Sequence, residues 1–177
     1  NGTDAQLNNV TLTGNMTIGS DLNVSGATTL TDLQVVNVSV SGNLTVTGLA
    51  KVADIEIGGH VITAGNAPTL APLSALGSTN FITAIDGNDT SGTITITTGA
   101  ATNAGAGITG PSLGDLVKLT FNKNYGKAPR VIVNGNDAAS ASLIAFPHST
   151  ATDSFNLSVG TAPAPTTTYT FTYFIVQ

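Results

Sequence analysis

The sequence predicts an all-β protein, and three observations support this prediction. Charged residues make up only 8% of the 177 residues, whereas soluble domains average about 25% and helix surfaces are normally built from Glu, Lys, Arg and Gln. Thr and Val recur at alternating positions, as they do in strands. Gly occurs 20 times, often just after a short apolar run, where it is typical of a turn. We therefore expect short strands joined by turns.

The charge balance and the absence of cysteine exclude several classes of protein. Ten acidic residues against five basic ones give a net charge of −5, so the chain lacks the basic face that a nucleic-acid partner requires. With no Cys, disulfides, thiolate metal sites and cysteine nucleophiles are all excluded. No apolar run approaches the roughly 18 residues of a membrane helix, so we expect no membrane insertion.

Residues 7–65 form a short, imperfect repeat, in which two apolar residues stand at i and i+2, often with Gly at i+4. The units are Val10-Leu12-Gly14, Met16-Ile18, Leu22-Val24-Gly26, Val38-Val40-Gly42, Leu44-Val46-Gly48, Ile55-Ile57-Gly59 and Val61-Thr63-Gly65. This alternation predicts half-buried strands.

One repeat unit is too small to fold alone. Two apolar side chains contribute at most about 3–6 kcal/mol on burial, whereas ordering six residues costs about 9 kcal/mol. The units must therefore stack on one another or on identical chains. Because they are few and irregularly spaced, we expect residues 1–63 to form an intertwined triple-stranded β-helical or β-prism stalk in a homotrimer. A single-chain solenoid and a disordered tail are the alternatives.

The composition changes after the repeats. Residues 64–80, with Pro68 and Pro72, are expected to form a linker, with one helical turn around Leu73–Leu76. Every Phe and Tyr lies in residues 81–177, and aromatic side chains build globular cores. This last segment is therefore expected to be the head domain.

The head shows seven short strand patterns with Gly, Pro, Asn and Asp clusters between them. These are Phe81–Ile85, Gly92–Thr98, Asp115–Phe121, Arg130–Asn134, Ala141–Phe146, Phe155–Val159 and Thr168–Val176. They predict an antiparallel β-sandwich, jelly-roll-like in character. The last of them carries aromatic residues on both faces, so we expect a central or subunit-interface strand.

Several phrases make the chain resemble trimeric fibre proteins of bacteriophage tails and bacterial surfaces. The stalk phrases are GNLTVTG, GNMTIGS, DLNVSG and GGHVITAGNAPT, and the head phrases are GTITITTG, LVKLTFNKNYGKAPRVIV and TYTFTYFIVQ. An aromatic residue followed by Tyr and then Pro-x-Val is also similar to the carbohydrate-binding heads of H-type lectins. The resemblance implies an extracellular homotrimer, on a virion tail or cell surface, with a head that binds a receptor or caps the trimer.

Little in the sequence points to catalysis. The chain has two His, and Glu56 is its one glutamate. No nucleophile elbow, phosphate loop or metalloprotease helix occurs, and glycoside hydrolysis needs two facing carboxylates. We therefore expect a protein that is not an enzyme and needs no cofactor, with polysaccharide degradation as a less favoured alternative.

Four of the five basic residues lie in one segment that also holds a tyrosine. These residues are Lys118, Lys123, Tyr125, Lys127 and Arg130. The cations can meet phosphates or acidic sugars while the tyrosine ring stacks on a sugar face, so they are the candidate receptor-binding residues. A solubilising turn between two strands is the simpler interpretation.

The segment Asp86-Gly-Asn-Asp89 is a weak candidate for a metal site. Asp86, Asn88 and Asp89 offer closely spaced oxygens of the kind that Ca²⁺ prefers. The segment does not match a complete calcium loop, and Asp-Gly is a strong turn signal. A tight turn without metal is therefore favoured.

The sequence thus predicts a structural and adhesive fibre whose head binds a cell-surface receptor, expected to be a glycan. The alternative is a spike or filament subunit whose head only caps and registers the trimer.

Overall fold

A computed structural model describes residues 11–177. The chain divides into two compact units, Asn1–Ile55 and Glu56–Gln177. The first ten residues, which include Val10 of the first repeat unit, lie outside the described part.

Residues 11–68 contain no helix and no strand, and the side chains of residues 11–62 are all exposed. The exposed large apolar residues before residue 63 are Leu12, Met16, Ile18, Leu22, Val24, Leu30, Leu33, Val35, Val36, Val38, Val40, Leu44, Val46, Leu49, Val52, Ile55, Ile57, Val61 and Ile62. Within residues 11–177 the alternating residues thus pair with no strand of their own chain, and the triple-stranded stalk stays a prediction.

From Thr69 onward the chain is almost entirely β. The strands are β1 (Thr69–Pro72), β2 (Ile82–Gly87), β3 (Ser91–Thr97), β4 (Gly114–Thr120), β5 (Arg130–Gly135), β6 (Ala145–His148), β7 (Ser154–Val159) and β8 (Thr168–Val176). They form two four-stranded antiparallel sheets, the first in the order β1-β4-β7-β6 and the second in the order β2-β3-β8-β5. The prediction of an all-β protein is confirmed, and the two antiparallel sheets agree with the expected sandwich.

The core consists of alternate residues on the central strands of the two sheets. Phe155 and Leu157 on β7 are fully buried, as are Phe171 and Tyr173 on β8. The rings of Phe155 and Tyr173 lie 6.4 Å apart between centroids. The expectation of a central position for β8 is confirmed, because it lies between β3 and β5. Its intervening side chains, Phe174 among them, face outward.

The segment 64–80, expected to be a linker, supplies strand β1 and a 3₁₀ helix to the head. The helical turn expected around Leu73–Leu76 is found at Ser74–Leu76, where Leu76 is completely buried. Strand β1 differs from the sequence-based expectation. Strand β1 pairs only with β4, at the edge of the first sheet, where a strand ending in proline is tolerated.

A second difference lies before β6. The strand predicted over Ala141–Phe146 starts only at Ala145, because the short helix α1 (Ala138–Ala141) ends at its first residue and a turn follows the helix. The side chain of Asp137 caps this helix by accepting a 2.7 Å hydrogen bond from the backbone N–H of Ser140. This bond also holds the pKa of the Asp137 carboxyl below its usual value.

Candidate functional site

A cleft of about 550 Å³ opens on the head beside the β2–β3 and β4–β5 loops. Its wall combines residues just before β1, such as Asn66, with Asp89, Lys123 and Tyr125 and with the C-terminal Gln177. This volume lies in the range of small-ligand pockets in proteins.

Asp89 holds one side of the cleft together. Its two carboxylate oxygens accept hydrogen bonds from the backbone N–H groups of Asn122, at 2.9 Å, and Lys123, at 2.8 Å. These charge-assisted bonds tie the β4–β5 loop to the β2–β3 loop. The carboxylate is therefore occupied by its own chain.

Asn122 fixes the segment that precedes β1. Its side-chain amide donates to the backbone carbonyls of Asn66, at 2.9 Å, and Ala67, at 2.8 Å. On the opposite side of the cleft, the side-chain oxygen of Gln177 accepts a 3.3 Å bond from the N–H of Gly126. The cleft is thus built from four chain segments joined by the side chains of Asp89, Asn122 and Gln177.

Tyr125 contributes a ring rather than a free hydroxyl. Its hydroxyl donates a 2.6 Å hydrogen bond to the backbone carbonyl of Asp89, and its ring packs edge-on against Phe121 at 5.0 Å between centroids. Burial, and then the negative charge of Asp89, raise the pKa of the phenol. Tyr125 therefore stays neutral at ordinary pH and presents an aromatic surface to the cleft.

The structure separates the five candidate receptor-binding residues. Lys123 and Tyr125 both line the cleft, and Lys127 is exposed in the same β4–β5 loop. Arg130 is the first residue of β5, at the edge of the second sheet. Lys118 lies on β4, in the first sheet, between Ala71 and Asn156.

The candidate metal residues form a turn. The side-chain oxygen of Asn88 accepts hydrogen bonds from the N–H groups of Thr90, at 2.8 Å, and Ser91, at 3.2 Å, while its amide donates to Thr63. Together with the bonds to Asp89, these contacts engage the side-chain oxygens of two of the three candidate residues. Within residues 11–177 no three His, Asp or Glu side chains form a group that could hold a metal ion.

A second polar cluster lies on the outer face of the first sheet. The carboxylate of Asp115 on β4 meets Nδ1 of His148 at 2.9 Å and accepts a 2.8 Å bond from the amide of Asn156. The Ser158 hydroxyl also donates to Asp115. Because the serine bonds to the carboxylate and not to the imidazole, the histidine is not placed to activate it as a nucleophile.

Some residues of the cleft were missed from the sequence. Asn66, Asn122 and Gln177 carry no motif, since their roles depend on loops brought together by the sandwich. Asp89 was singled out for its oxygens, but its bonding partners lie more than 30 residues away. The Asp115 cluster likewise arises from strand register, with His148 opposite Asn156 in the β6–β7 pair.

Comparison with known proteins gives no relative. No family profile, curated protein or solved structure matches the chain. Among residues 11–177 there is also no helix with the length and apolar character to cross a bilayer.

Proposed function

We propose that the chain is a subunit of an extracellular, homotrimeric adhesive fibre, not an enzyme, whose head binds a cell-surface receptor with the chemistry of a glycan. The observation that carries this proposal is the contrast between the two parts of the chain. The head has a core of buried aromatic and branched side chains, whereas the large apolar residues of segment 11–62 are all exposed.

The exposed residues favour identical partners. In the unit Gly42–Gly48, Leu44 is 73% exposed and Val46 is 49% exposed, and the intervening Thr45 is polar. Strands with this pattern bury one face and leave their backbone edges unpaired when alone. Three copies wound about one axis close those edges and bring the same apolar face of each chain into a shared core.

The cleft supports the receptor-binding part of the proposal. The ammonium group of Lys123 forms no ion pair with the described residues, and the amides of Asn124 and Gln177 lie in the same wall. Ammonium and amide groups can bond to sugar hydroxyls or to an acidic sugar, and the ring of Tyr125 offers an apolar surface.

A second candidate function is a structural subunit whose head only caps and registers the trimer. The observation that favours it is that the carboxylate of Asp89 and the hydroxyl of Tyr125 are both used within the chain. In that case the cleft results only from the packing of these four chain segments and has no binding role.

Two measurements on the intact chain test these proposals. Light scattering should give about three times the chain mass of 17.7 kDa, and a monomeric mass would overturn the fibre. A glycan array should then show binding that Lys123→Ala loses and the matched variant Lys51→Ala keeps, because Lys51 lies outside the head. A trimer that binds no glycan would favour the capping role.

A further inference from the structure

The outer face of the second sheet carries an exposed apolar cluster. On β8 the outward residues include Phe174 and Val176, and on β5 they include Ile132, which stands directly opposite Phe174. Ile132 is 55% exposed, Phe174 43% and Val176 42%. Such side chains on neighbouring positions of a regular sheet form a continuous patch rather than isolated surface residues.

The rest of this face is almost free of charge. Its other outward positions on β3 and β8 are largely threonines: Thr93, Thr95, Thr97, Thr168, Thr170 and Thr172. Threonine is stiff at its first side-chain torsion, so covering it costs little conformational freedom. A sheet face of stiff side chains with few charges is well suited to contact another protein surface.

The two charges in the four strands of this sheet lie on opposite edges. Arg130 begins β5, which forms one edge, and Asp86 lies on β2, which forms the other. Both are exposed, and the strand pairing places both on the outward face. Three strand spacings separate them by at least about 14 Å, too far for an ion pair within one chain.

Rotational symmetry can bring the edge with Arg130 next to the edge with Asp86 of a neighbouring copy. In a cyclic trimer each contact is head-to-tail, so one edge of a surface meets a different edge of the neighbouring copy. A basic edge and an acidic edge on the same face are complementary in such a ring. A two-fold dimer through this face would pair the same two edges twice, so the choice of a ring of three comes from the proposed trimer and not from these charges.

We propose that this face is the contact surface between the heads of three copies of the chain. The cluster of Ile132, Phe174 and Val176 lies toward the shared axis, and Arg130 of each copy pairs with Asp86 of the next. This inference rests on the proposed trimer and adds to it the surface and the pairing by which the heads assemble.

Cross-linking tests the pairing directly, because the natural chain has no cysteine. The intact variant carrying Arg130→Cys and Asp86→Cys is treated with a short bismaleimide. On a denaturing gel, a link within one chain leaves the mass of a single chain, whereas links between neighbouring copies add the mass of each copy joined. We expect a covalent trimer on a denaturing gel, and little product from either single-cysteine variant.

Exchanging the two charges tests the proposed pairing of Arg130 with Asp86 independently. Arg130→Glu or Asp86→Lys alone places like charges across all three contacts and should speed dissociation of the trimer at least about tenfold. The double variant should restore the natural rate to within about twofold. Near-ultraviolet circular dichroism checks that each head remains folded.

The outcomes separate this inference from the proposed function. A natural chain of trimeric mass whose double-cysteine variant forms no covalent trimer would overturn the face assignment and leave the fibre standing. Covalent dimers without trimers would also overturn it, since they indicate a two-fold contact. A monomeric natural chain would overturn both.

Discussion

The hydroxyl of Tyr173 donates a 2.6 Å buried hydrogen bond to the backbone carbonyl of Asn88. The tyrosine lies on the central strand β8, so this bond fixes the β2–β3 loop onto the core. Gly92 makes room for it, because a Cβ at that position would come within 2.6 Å of the Tyr173 hydroxyl oxygen. The neighbouring carbonyl, that of Asp89, accepts the hydroxyl of Tyr125 in the same way. Two tyrosines thus hold two consecutive carbonyls of one loop.

Tyr173→Phe should destabilise the head by about 1–3 kcal/mol, since it leaves a buried carbonyl without a donor while the ring still packs. Urea unfolding at a fixed protein concentration measures the change. Tyr125→Phe is the matched control and should cost less, because its site is partly open to water. Equal stability of Tyr173→Phe and the natural chain would contradict this role of the hydroxyl.

We expect the head to lose stability in alkali, where the hydroxyls of Tyr173 and Tyr125 ionise. Burial, and then the charge of Asp89, raise the pKa values of Tyr173 and Tyr125 above the usual 10.0. A raised folded-state pKa means that the contribution to stability is complete below the unfolded-state value and declines as the pH rises beyond it. The free energy of unfolding should therefore fall above about pH 10.

The alkaline effect is measured by urea unfolding at several pH values, together with the ultraviolet absorbance of tyrosinate. Tyr173→Phe removes one of the two groups and should make the fall with pH shallower. The same slope in the variant and the natural chain would place the alkaline sensitivity elsewhere.

Ile144 occupies a left-handed backbone conformation with a φ of 54°, which is unfavourable for a β-branched residue. The backbone is held there because the carbonyls of Leu143 and Ile144 both accept from the N–H of Gly160, at 3.0 and 3.2 Å. Since the side chain is largely exposed, little packing is lost on replacing it. Ile144→Asn should therefore stabilise the head by about 1 kcal/mol.

Thermal unfolding checks this stabilisation. Ile144→Val is the matched control, because it keeps the β-branch and hence the strain. If the two variants melt at the same temperature, the strain at this position does not limit stability.

The sequence predicted most strands of the sandwich, and the two that differ, β1 and β6, are the edges of the first sheet. The ranges expected for β2, β3, β4, β5, β7 and β8 agree with the structure to within one or two residues at each end. Strand β1 was missed, since Pro68 and Pro72 are ordinarily signs of a linker. Its place in the sheet comes from pairing with β4, more than 40 residues away in sequence.

The cleft could be predicted only in part for a similar reason. Lys123 and Tyr125 were found from the concentration of basic residues around a tyrosine. Asn66 and Gln177 were not, because they come from distant parts of the chain and share no local pattern. Lys118 was grouped with the other basic residues by its position in sequence, but it lies on strand β4, within the first sheet and not in the β4–β5 loop.

Reversing the charges at the cleft should abolish attachment. If Lys123 and Lys127 meet an anionic receptor, Lys123→Glu with Lys127→Glu should remove cell binding and leave the fold intact. Binding by the natural chain should weaken with added salt, because exposed charges are screened over about 8 Å at physiological ionic strength.

Attachment is measured on receptor-bearing cells across a salt series, with Lys51→Glu as the control for loss of a distant positive charge. Attachment that does not depend on salt and survives the double reversal would move the binding surface away from this cleft.

The stalk offers the sharpest comparison, because neighbouring positions of one repeat unit are expected to have opposite environments. In the proposed trimer Val46 belongs to the apolar set that faces the shared axis, and Thr45 belongs to the polar set between. A carboxylate at position 46 would be repeated three times in a water-poor core, where an unpaired charge is very unfavourable. Val46→Asp should therefore prevent assembly and reduce the mass by light scattering from trimer to monomer. Thr45→Asp adds the same charge one residue away, on the solvent side, and should leave the trimer intact. If both variants remain trimeric, residues 44–46 do not pack about an axis, and the single-chain solenoid becomes the better account of the repeats.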